Sequence, residues 1–461
     1  MASEAAPESA SGRAPEALDS GLLSPVSAGL DDVVSDAAVL SALVAAEVSL
    51  TRAYAAAGLA PASVAEAVAA RFGWDEAGAR CRGHGLDAGE LARAAVVGGN
   101  PVIPLVGMMK DRVPAEERAW IHRGATSQDI VDSALMRVAA DAADEVLASL
   151  GRAEAALRSF IGEHADDVAA ARTLTQHAVP TTVGLRAANW LRGVSRARAA
   201  LAGARAALPA QLAGAGGTLA SFVEITGSVS ATEELVRSFA RSLGLAAPDA
   251  PWHTTRWPVT ELGDALVQAV DAAGKIAADV ATLSRTEIGE VAEGTGGGSS
   301  AMPQKQNPAR AVLIRSAALR APALSSTLHL AAALAVDERP DGAWHAEWPT
   351  LRELLRLALG ASSHTAQLVA GLRVDPDAVA RNLAATRGLI LSERVSIVLG
   401  PLIGPERLKE IVAAVGRGDD LADRIRRLPE AAALDVDALL DPAGYTGLAA
   451  SLTENVLKER S

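Results

Sequence analysis

The feature that most constrains the fold is a set of long apolar stripes at helical spacing. The first stripe consists of Ile130, Val131, Leu135, Val138, Val146, Leu150, Leu157 and Ile161. Further helical stretches begin near Thr182, at Leu262 and after Pro308. Stripes of about 25 residues are much longer than the mean helix of roughly 11–12 residues, so they predict a bundle of long helices. Pro322 falls inside the last stretch, and we expect it to interrupt or kink that helix.

The composition agrees with a helical fold. Ala is the commonest residue, aromatic residues make up only 3 %, and Gly and Pro collect between the apolar stretches. Ala, Leu, Arg and Glu are strong helix formers, and no segment shows the alternation of Val, Ile and Thr that a sheet requires. We therefore predict an all-α protein. Because Ala-rich faces bury little area per residue, we also expect an oligomer with a shared helical core.

Charge, cysteine content and hydropathy narrow the class of protein. Acidic residues outnumber basic ones by 55 to 43, a net charge of −12, which argues against a nucleic-acid-binding surface. The single cysteine, Cys81, excludes an internal disulfide framework and is typical of the reducing cytoplasm. No charge-free apolar stretch of about 18 residues occurs, so no membrane span is expected. Acidic residues near the N-terminus also argue against a signal peptide.

Breaks in the helical pattern divide the chain. Residues 1–19, rich in Ser, Ala, Pro and Glu, are predicted to form a disordered tail. A turn-rich segment ends an N-terminal helical domain (20–108), and the central long-helix bundle follows (109–354). A Gly-rich loop (290–308) interrupts this bundle, and shorter units after it predict a C-terminal helical domain (355–461).

Three polar segments punctuate the long helices, and the first is HRGATSQD at His122–Asp129. Thr126 and Asp129 fit a capping pattern before an apolar run, which is a purely structural role. The functional alternative is that Thr126, Ser127 and Gln128 offer donors to an anion at a helix N-terminus, which favours a carboxylate.

The second segment is RTLTQHAVPTT at Arg172–Thr182. Pro180 and the two threonines after it indicate a helix start. Upstream of Pro180, the polar residues Thr175, Gln176 and His177 crowd together. A lone histidine is more often structural than catalytic, but its position among other donors makes a catalytic role about equally plausible.

The third segment is GSSAMPQKQNP at Gly298–Pro308. The glycines before it make the region mobile, and a flexible linker would explain them. A linker does not require Lys305, Asn307 and two prolines in this order. A long loop between long helices is typically a lid or a binding loop, so we predict a catalytic loop here.

The third segment resembles the GSSxMPxKxNP signature of the fumarase/aspartase superfamily and matches it at every defined position. HRGATSQD and RTLTQHAVPTT resemble the other two shared segments of that superfamily, in the same order. Within it, the chain is most similar to the bacterial 3-carboxy-cis,cis-muconate cycloisomerase branch. This similarity lies in the segments GNPVIPLV (99–106), GATSQD (124–129), PWHTTR (251–256), GAWHAEW (342–348) and ATRGLILSE (385–393).

The resemblance implies three all-helical domains, with the long helices of four subunits forming the twenty-helix core of a homotetramer. Each active site would draw its three segments from three different subunits. The resemblance also implies a small dicarboxylate or tricarboxylate substrate, and neither a metal nor an organic cofactor.

The resemblance assigns Ser299 as the general base that removes a proton from the carbon beside a carboxylate. A serine hydroxyl is weakly basic, so it must act as an alkoxide that loop N–H groups and a nearby cation stabilise. The substrate-binding positions implied in the same way are Thr126, Ser127, Gln128, Lys305 and Asn307. Arg123, Gln176 and Ser300 are further predicted substrate-binding residues.

Two positions depart from the wider superfamily. Fumarases carry a histidine directly after Arg-Thr, where this chain has Leu174, although the cycloisomerase branch also commonly lacks it. Arg123 stands where an aromatic residue often precedes GATSQD, and a cation near the substrate would favour an anionic leaving group. His177 remains as an acid or orienting group. These features predict a leaving group that departs without strong acid assistance, such as nitrite or a carboxylate.

Two reactions fit this description. One is anti β-elimination from a C2-substituted succinate such as nitrosuccinate, which releases fumarate; nitrosuccinate lyases resemble this same branch. The other is the cycloisomerase reaction of the β-ketoadipate pathway, in which a carboxylate adds to a muconate double bond and forms a lactone. Leu174 and Arg123 favour the first reaction, and overall resemblance favours the second. A non-catalytic role, as in crystallins of the superfamily, would be signalled by a degraded loop, whereas Ser299, Lys305 and Asn307 are present.

Overall fold

Helices account for most of the computed structural model, which describes residues 21–298 and 301–459. In chain order, the α-helices are α1 (Asp36–Ala56), α2 (Ala62–Arg71), α3 (Ala88–Gly98), α4 (Val102–Lys110), α5 (Ala115–Arg118), α6 (Ser127–Glu163), α7 (Val183–Ala207), α8 (Ala220–Thr226), α9 (Val229–Ser242), α10 (Trp257–Leu283), α11 (Ala309–Ala333), α12 (Gly342–Ala370), α13 (Pro376–Ala384), α14 (Ser392–Ile403), α15 (Pro405–Gly416), α16 (Leu421–Arg426), α17 (Val436–Leu439) and α18 (Ala449–Lys458). Short 3-10 helices lie at Asp32–Val34, Leu389–Leu391, Pro429–Ala431 and Pro442–Tyr445.

Three antiparallel two-stranded ribbons connect the helices in the described part of the chain. They are β1 (Trp74–Asp75) with β2 (Arg80–Cys81), β3 (Val168–Thr173) with β4 (Gln176–Thr182), and β5 (Val291–Ala292) with β6 (Arg373–Val374). The prediction of an all-α protein is confirmed at the level of fold class. The second polar segment forms most of the β3–β4 hairpin, so its residues before Pro180 are strand and turn rather than the approach to a helix.

Five long helices, α6, α7, α10, α11 and α12, pack side by side and form the centre of the molecule. The predicted bundle of long helices is therefore confirmed. α1 packs against α6, and one continuous core cluster includes residues from Val26 to Val456. α11 continues through Pro322, so the expected interruption there is wrong. Pro322 lies on the exposed side of α11, where a carbonyl group that loses its helical partner can bond to water.

The structure places the end of the bundle later than the sequence suggests. Position 354, the predicted end of the central domain, lies inside α12, which continues to Ala370. A second hydrophobic cluster, built by the helices α14 to α17, begins at Val395. The division into three domains itself stays a prediction, and the predicted disordered tail, residues 1–19, lies outside the described residues.

One helix of the described chain, α1, is long and apolar enough to cross a membrane by length and composition alone. Inside the protein, 72 % of its apolar window is buried, as expected for a helix of the core. Cys81 on β2 is also buried, and burial raises the pKa of its thiol to about 12. Cys81 is therefore an unreactive core residue.

Candidate active site

The first and second polar segments lie at opposite ends of the bundle. The first segment (122–129) ends in the first turn of α6, and the second (172–182) follows the last turn of that helix. α6 has 37 residues, and a rise of about 1.5 Å per residue makes it roughly 55 Å long. Within one chain the two segments therefore cannot contact the same small substrate.

At the first end, the backbone of the first segment is held by a buried carboxylate. Thr126 N donates to Asp129 Oδ2 at 3.0 Å, which confirms the predicted capping role of these two residues. The Asp129 carboxylate also accepts the N–H groups of Ala213 at 2.9 Å and Gly214 at 3.0 Å. His253 Nε2 lies 2.9 Å from Asp129 Oδ1. These bonds fix the start of α6, where free N–H groups and the helix dipole favour an anion.

Gln128 is directed into the protein rather than towards solvent. Its side chain is fully buried, and its Nε2 donates to Asp132 at 3.2 Å and to the carbonyl of His253 at 2.9 Å. Thr126 and Ser127 remain partly exposed. Burial thus points to a structural role for Gln128, because its side chain exposes no atom for the predicted substrate contact in this conformation.

Two arginines lie close to the first segment. The Arg123 guanidinium stacks over the ring of Trp120, 4.5 Å from its centroid. Arg339, in the connection between α11 and α12, donates to Thr126 Oγ1 at 2.5 Å and to the carbonyl of Ala215 at 2.8 Å. Sequence reasoning missed Arg339 because it is 213 residues from Thr126 in the chain and no local pattern marks the contact.

Beneath the first segment lies a buried charge network. Arg256 donates to Asp132 at 2.7 and 3.1 Å and to Glu347 at 2.7 Å, and Trp344 Nε1 donates to Asp132 at 2.9 Å. Burial acts to lower the pKa of Arg256, but these two carboxylates outweigh it and raise the pKa. Arg256 therefore joins α6, α10 and α12 and does not reach solvent.

At the other end of the bundle, the second segment turns tightly between β3 and β4. Leu174 and Thr175 form the turn with left-handed φ angles of 47° and 73°. Such angles are costly for a leucine, and the Leu174 side chain is 96 % exposed. Thr182 then caps α7, because its hydroxyl accepts the N–H of Leu185 at 3.0 Å, so the predicted helix start is confirmed.

His177 lines an open cavity of about 700 Å³ beside this hairpin. Burial, and the neighbouring charge of Arg172, lower the pKa of His177, although Glu290 opposes them. The imidazole is therefore mostly neutral at pH 7. Gln176 is exposed and is bonded only weakly to Thr175, at 3.4 Å.

The cavity walls are rich in cations. The charged residues that line it are Arg172, Arg186, Lys275, Asp279, Arg285 and Glu287. Lys275 is engaged by Asp279 at 2.6 Å, whereas Arg285 is exposed and has no ion-pair partner within the described residues. Such a lining suits a substrate with more than one carboxylate.

The predicted catalytic loop (290–308) is attached to this end of the bundle at its base. Arg172 donates to both carboxylate oxygens of Glu290, at 2.6 and 3.2 Å, and Asn382 donates to Glu290 Oε1 at 2.9 Å. Burial acts to raise the pKa of Glu290, but the hydrogen bonds from Arg172 and Asn382 outweigh it and lower the pKa. A buried carboxylate thus ties the second segment to the start of the loop.

The two sides of the loop are also held together. Glu293 accepts the N–H groups of Arg310 at 3.2 Å and Ala311 at 2.9 Å, and so caps α11 from a distance. Gly297 and Asn307 exchange two backbone hydrogen bonds, at 2.9 and 2.8 Å.

Between this pair, the described part of the loop is open to solvent. Lys305 is exposed, and its N–H donates to the carbonyl of Met302 at 3.0 Å. Ser299 and Ser300 lie outside the described residues, so their predicted roles stay predictions. The structure therefore brings together the second segment and the loop base, and it places the first segment elsewhere.

No group of three or more His, Cys, Asp or Glu side chains in residues 21–298 and 301–459 is arranged to hold a metal ion. The absence of a metal or organic cofactor remains a prediction from the sequence.

Comparisons with known proteins agree with this architecture. A family described as a lyase family matches residues 33–322. The nitrosuccinate lyase of Streptomyces davaonensis is 44 % identical over 459 residues, which cover 95 % of each chain. The 3-carboxy-cis,cis-muconate cycloisomerase of Pseudomonas aeruginosa is 38 % identical over 93 % of each chain. The crystal structure of the 3-carboxy-cis,cis-muconate lactonizing enzyme from Pseudomonas putida superimposes with a TM-score of 0.84 at 35 % identity, covering 95 % of this chain and 98 % of that one. The chain is thus an enzyme that belongs to the lyases of the fumarase/aspartase superfamily.

Proposed function

We propose that this enzyme releases fumarate and nitrite from nitrosuccinate by anti β-elimination. The observation that carries the proposal is the composition of the second segment. Its turn presents an exposed leucine, Leu174, and its histidine, His177, is held mostly neutral. A strong proton donor for an amine or hydroxide leaving group is therefore missing from this hairpin, and a weakly basic leaving group does not need one. The similarity to a nitrosuccinate lyase supports the same choice.

In the proposed reaction, Ser299 acts as the base. It removes a proton from C3 of the substrate, the C2–C3 double bond forms, and the C2–N bond breaks with its electron pair leaving on nitrite. The proton then passes from Ser299 to solvent. Negative charge develops on the carboxylate beside C3, so the cations and N–H groups around the loop lower the barrier. Lys305 and Asn307 on the loop, with Thr126 and Ser127 at the start of α6, are proposed to bind the substrate carboxylates.

The complete site is proposed to form between chains of a homotetramer. The two ends of the bundle are about 55 Å apart along α6, so an active site with all three segments needs more than one copy. Five long helices per chain give twenty in four copies. One face of α11 supports such an interface, because apolar residues more than half exposed follow it from end to end: Val312, Leu319, Leu330 and Leu334.

Specific observations also favour the cycloisomerase reaction as a second candidate. The cavity beside His177, about 700 Å³, has room for a larger acid than a four-carbon one, and two relatives that the chain resembles act as cycloisomerases or lactonizing enzymes. In either case we place the reaction in the cytoplasm, because the single cysteine is buried and unpaired.

Incubation of the purified enzyme with each substrate separates the candidates. The elimination predicts a rise in fumarate and nitrite from nitrosuccinate. Lactone formation from 3-carboxy-cis,cis-muconate, without fumarate from nitrosuccinate, would instead establish the cycloisomerase. Because no cofactor is expected, turnover should survive dialysis against a chelator, and its loss on dialysis would contradict that part of the proposal.

A further inference from the structure

The first residue of the first segment, His122, pairs with a buried glutamate, Glu47. Glu47 lies in the middle of α1 and is fully buried, and its Oε1 is 2.7 Å from His122 Nδ1. Its other carboxylate oxygen has no hydrogen-bond partner within the described residues. A buried carboxylate in an apolar helix is costly unless a positive partner compensates it, so the pair indicates a charged imidazolium at His122.

α1 also fixes the backbone around His122. Thr51 Oγ1 donates to the carbonyl of Trp120 at 3.3 Å, and Tyr54 Oη donates to the carbonyl of Arg123 at 2.9 Å. Between these anchors, His122 adopts a left-handed φ of 59°. A non-glycine residue keeps such an angle only where its surroundings hold it, and held strain of this kind concentrates at functional sites.

Charges on three helices act on the His122 ring. Burial lowers its pKa, but Glu47 on α1, by charge and hydrogen bond, and Asp129 on α6 raise it. Lys110 on α4 opposes them, and the net result is a raised pKa. Nδ1 is directed at Glu47 and the side chain is 21 % exposed, so Nε2–H is the donor left for a ligand. His122 lies four residues before Thr126, the cap of α6, at the same end of the bundle as Arg339.

We propose that His122 Nε2–H binds the leaving group of the elimination and stabilises the negative charge that develops on it, with Glu47 as the residue that positions the ring. This inference rests on the proposed function. The electron pair of the C–N bond leaves on nitrite, and His122 keeps its proton because nitrous acid is a stronger acid than imidazolium. His122 would thus supply a positive charge to the leaving group, which the mostly neutral His177 does not.

The proposal has a definite pH dependence. Activity requires the charged ring, so it is full below the pKa of His122 and falls as the pH rises through that value. In Glu47→Gln, Asp129 alone opposes burial and Lys110, which both lower the pKa of the ring. The pKa of His122 then falls, and the alkaline limb of kcat/KM should move to lower pH by roughly 1–3 units.

The test compares pH profiles of kcat/KM with nitrosuccinate for four proteins. They are the wild type, Glu47→Gln, His122→Gln and the control Glu154→Gln. The control removes a buried carboxylate of α6 that pairs with Arg198 on α7. We expect the shifted limb in Glu47→Gln, an unchanged profile in Glu154→Gln, and a loss of kcat on the order of 10²–10³-fold in His122→Gln. An unshifted limb in a folded Glu47→Gln overturns the proposal. Should Glu47→Gln not fold, the alkaline limb must disappear in His122→Gln, and its persistence overturns the proposal equally.

A substrate-free measurement separates this inference from the proposed function. In protein labelled with ¹³C at histidine Cε1, the signal lost in His122→Gln should titrate above the ordinary histidine pKa in the wild type. A wild type that shows this titration but forms no nitrite refutes the elimination and leaves the Glu47–His122 pair standing. A signal that titrates at or below the ordinary value refutes the charged ring.

Discussion

At the scale of single residues, the structure shows side-chain contacts that the spacing of residues in the sequence could not predict. Arg123 stacks over Trp120, and its contact with the substrate stays a prediction. The cation that touches Thr126 is Arg339, which comes from a distant connection. The capping bond between Thr126 and Asp129 was predictable because it is local, whereas the contact of Arg339 depends on how α11 and α12 return to the first end of the bundle.

Arg339→Gln tests the role of that cation. The guanidinium orients Thr126 at the start of α6, so its loss should weaken carboxylate binding and raise KM by roughly tenfold or more. Steady-state kinetics measure the effect, and Arg71→Gln at the exposed end of α2 serves as the control. An unchanged KM in Arg339→Gln would show that the cation has no part in binding.

At the scale of elements, hydrogen bonds hold together the two ends of the predicted catalytic loop. Glu290 joins the loop to the β3–β4 hairpin, Glu293 caps α11, and a backbone pair closes the loop at Gly297 and Asn307. The sequence motif predicted the loop, and its catalytic role stays a prediction. It did not predict this base, because Glu290 and Arg172 are 118 residues apart and neither belongs to a local pattern that implies the other.

Packing at the loop base leaves no room for a side chain at Gly294. A Cβ atom there would lie 2.6 Å from the carbonyl oxygen of Gly371, at the end of α12. Gly294→Ala should therefore displace the loop base and lower kcat by at least tenfold, without unfolding the bundle. Gly416→Ala at the end of α15 is the matched control, because an added Cβ there meets no atom of the described residues within 4 Å. Equal kcat values in the two variants would contradict a tightly fitted base.

Glu290 should also make stability depend on pH. Its pKa is lowered in the folded protein, so the stability it contributes is present above its unfolded pKa and is lost as the pH falls through the folded value. In Glu290→Gln this dependence should be weaker, because no carboxylate remains to be protonated. Thermal unfolding midpoints between pH 7 and pH 3 measure the difference. Parallel curves for the wild type and the variant would show that the ion pair with Arg172 contributes nothing.

At the scale of the whole molecule, the bundle holds apart the first and second segments, which the proposed reaction must bring to one substrate. The periodic apolar stripes predicted long helices because their spacing is a local property of the chain. The first stripe, Ile130–Ile161, lies between the first and second segments, so a long helix between them was predictable. The stripes did not show that position 354 lies inside a continuous helix. The separation of the two segments by α6 makes assembly a requirement for the proposed chemistry.

Leu319→Glu tests this requirement. Leu319 is 82 % exposed at the middle of the apolar face of α11, and a buried charge there should dissociate the proposed tetramer. Light scattering after gel filtration gives the mass, and activity should fall in step with it. Leu402→Glu, on α14, is the control for an exposed leucine outside that face. A monomeric Leu319→Glu protein with full activity would contradict an active site shared between chains.

Fumarate and nitrite measured together during turnover of nitrosuccinate report directly on the proposed elimination. We expect equal amounts of the two products from the wild type and from Ser451→Ala, which changes an exposed serine on α18. In Ser299→Ala, kcat should fall on the order of 10²–10⁴-fold, with the fold intact by circular dichroism. Absence of both products from the wild type, or a Ser299→Ala enzyme that keeps a tenth of the turnover, would contradict the proposed elimination.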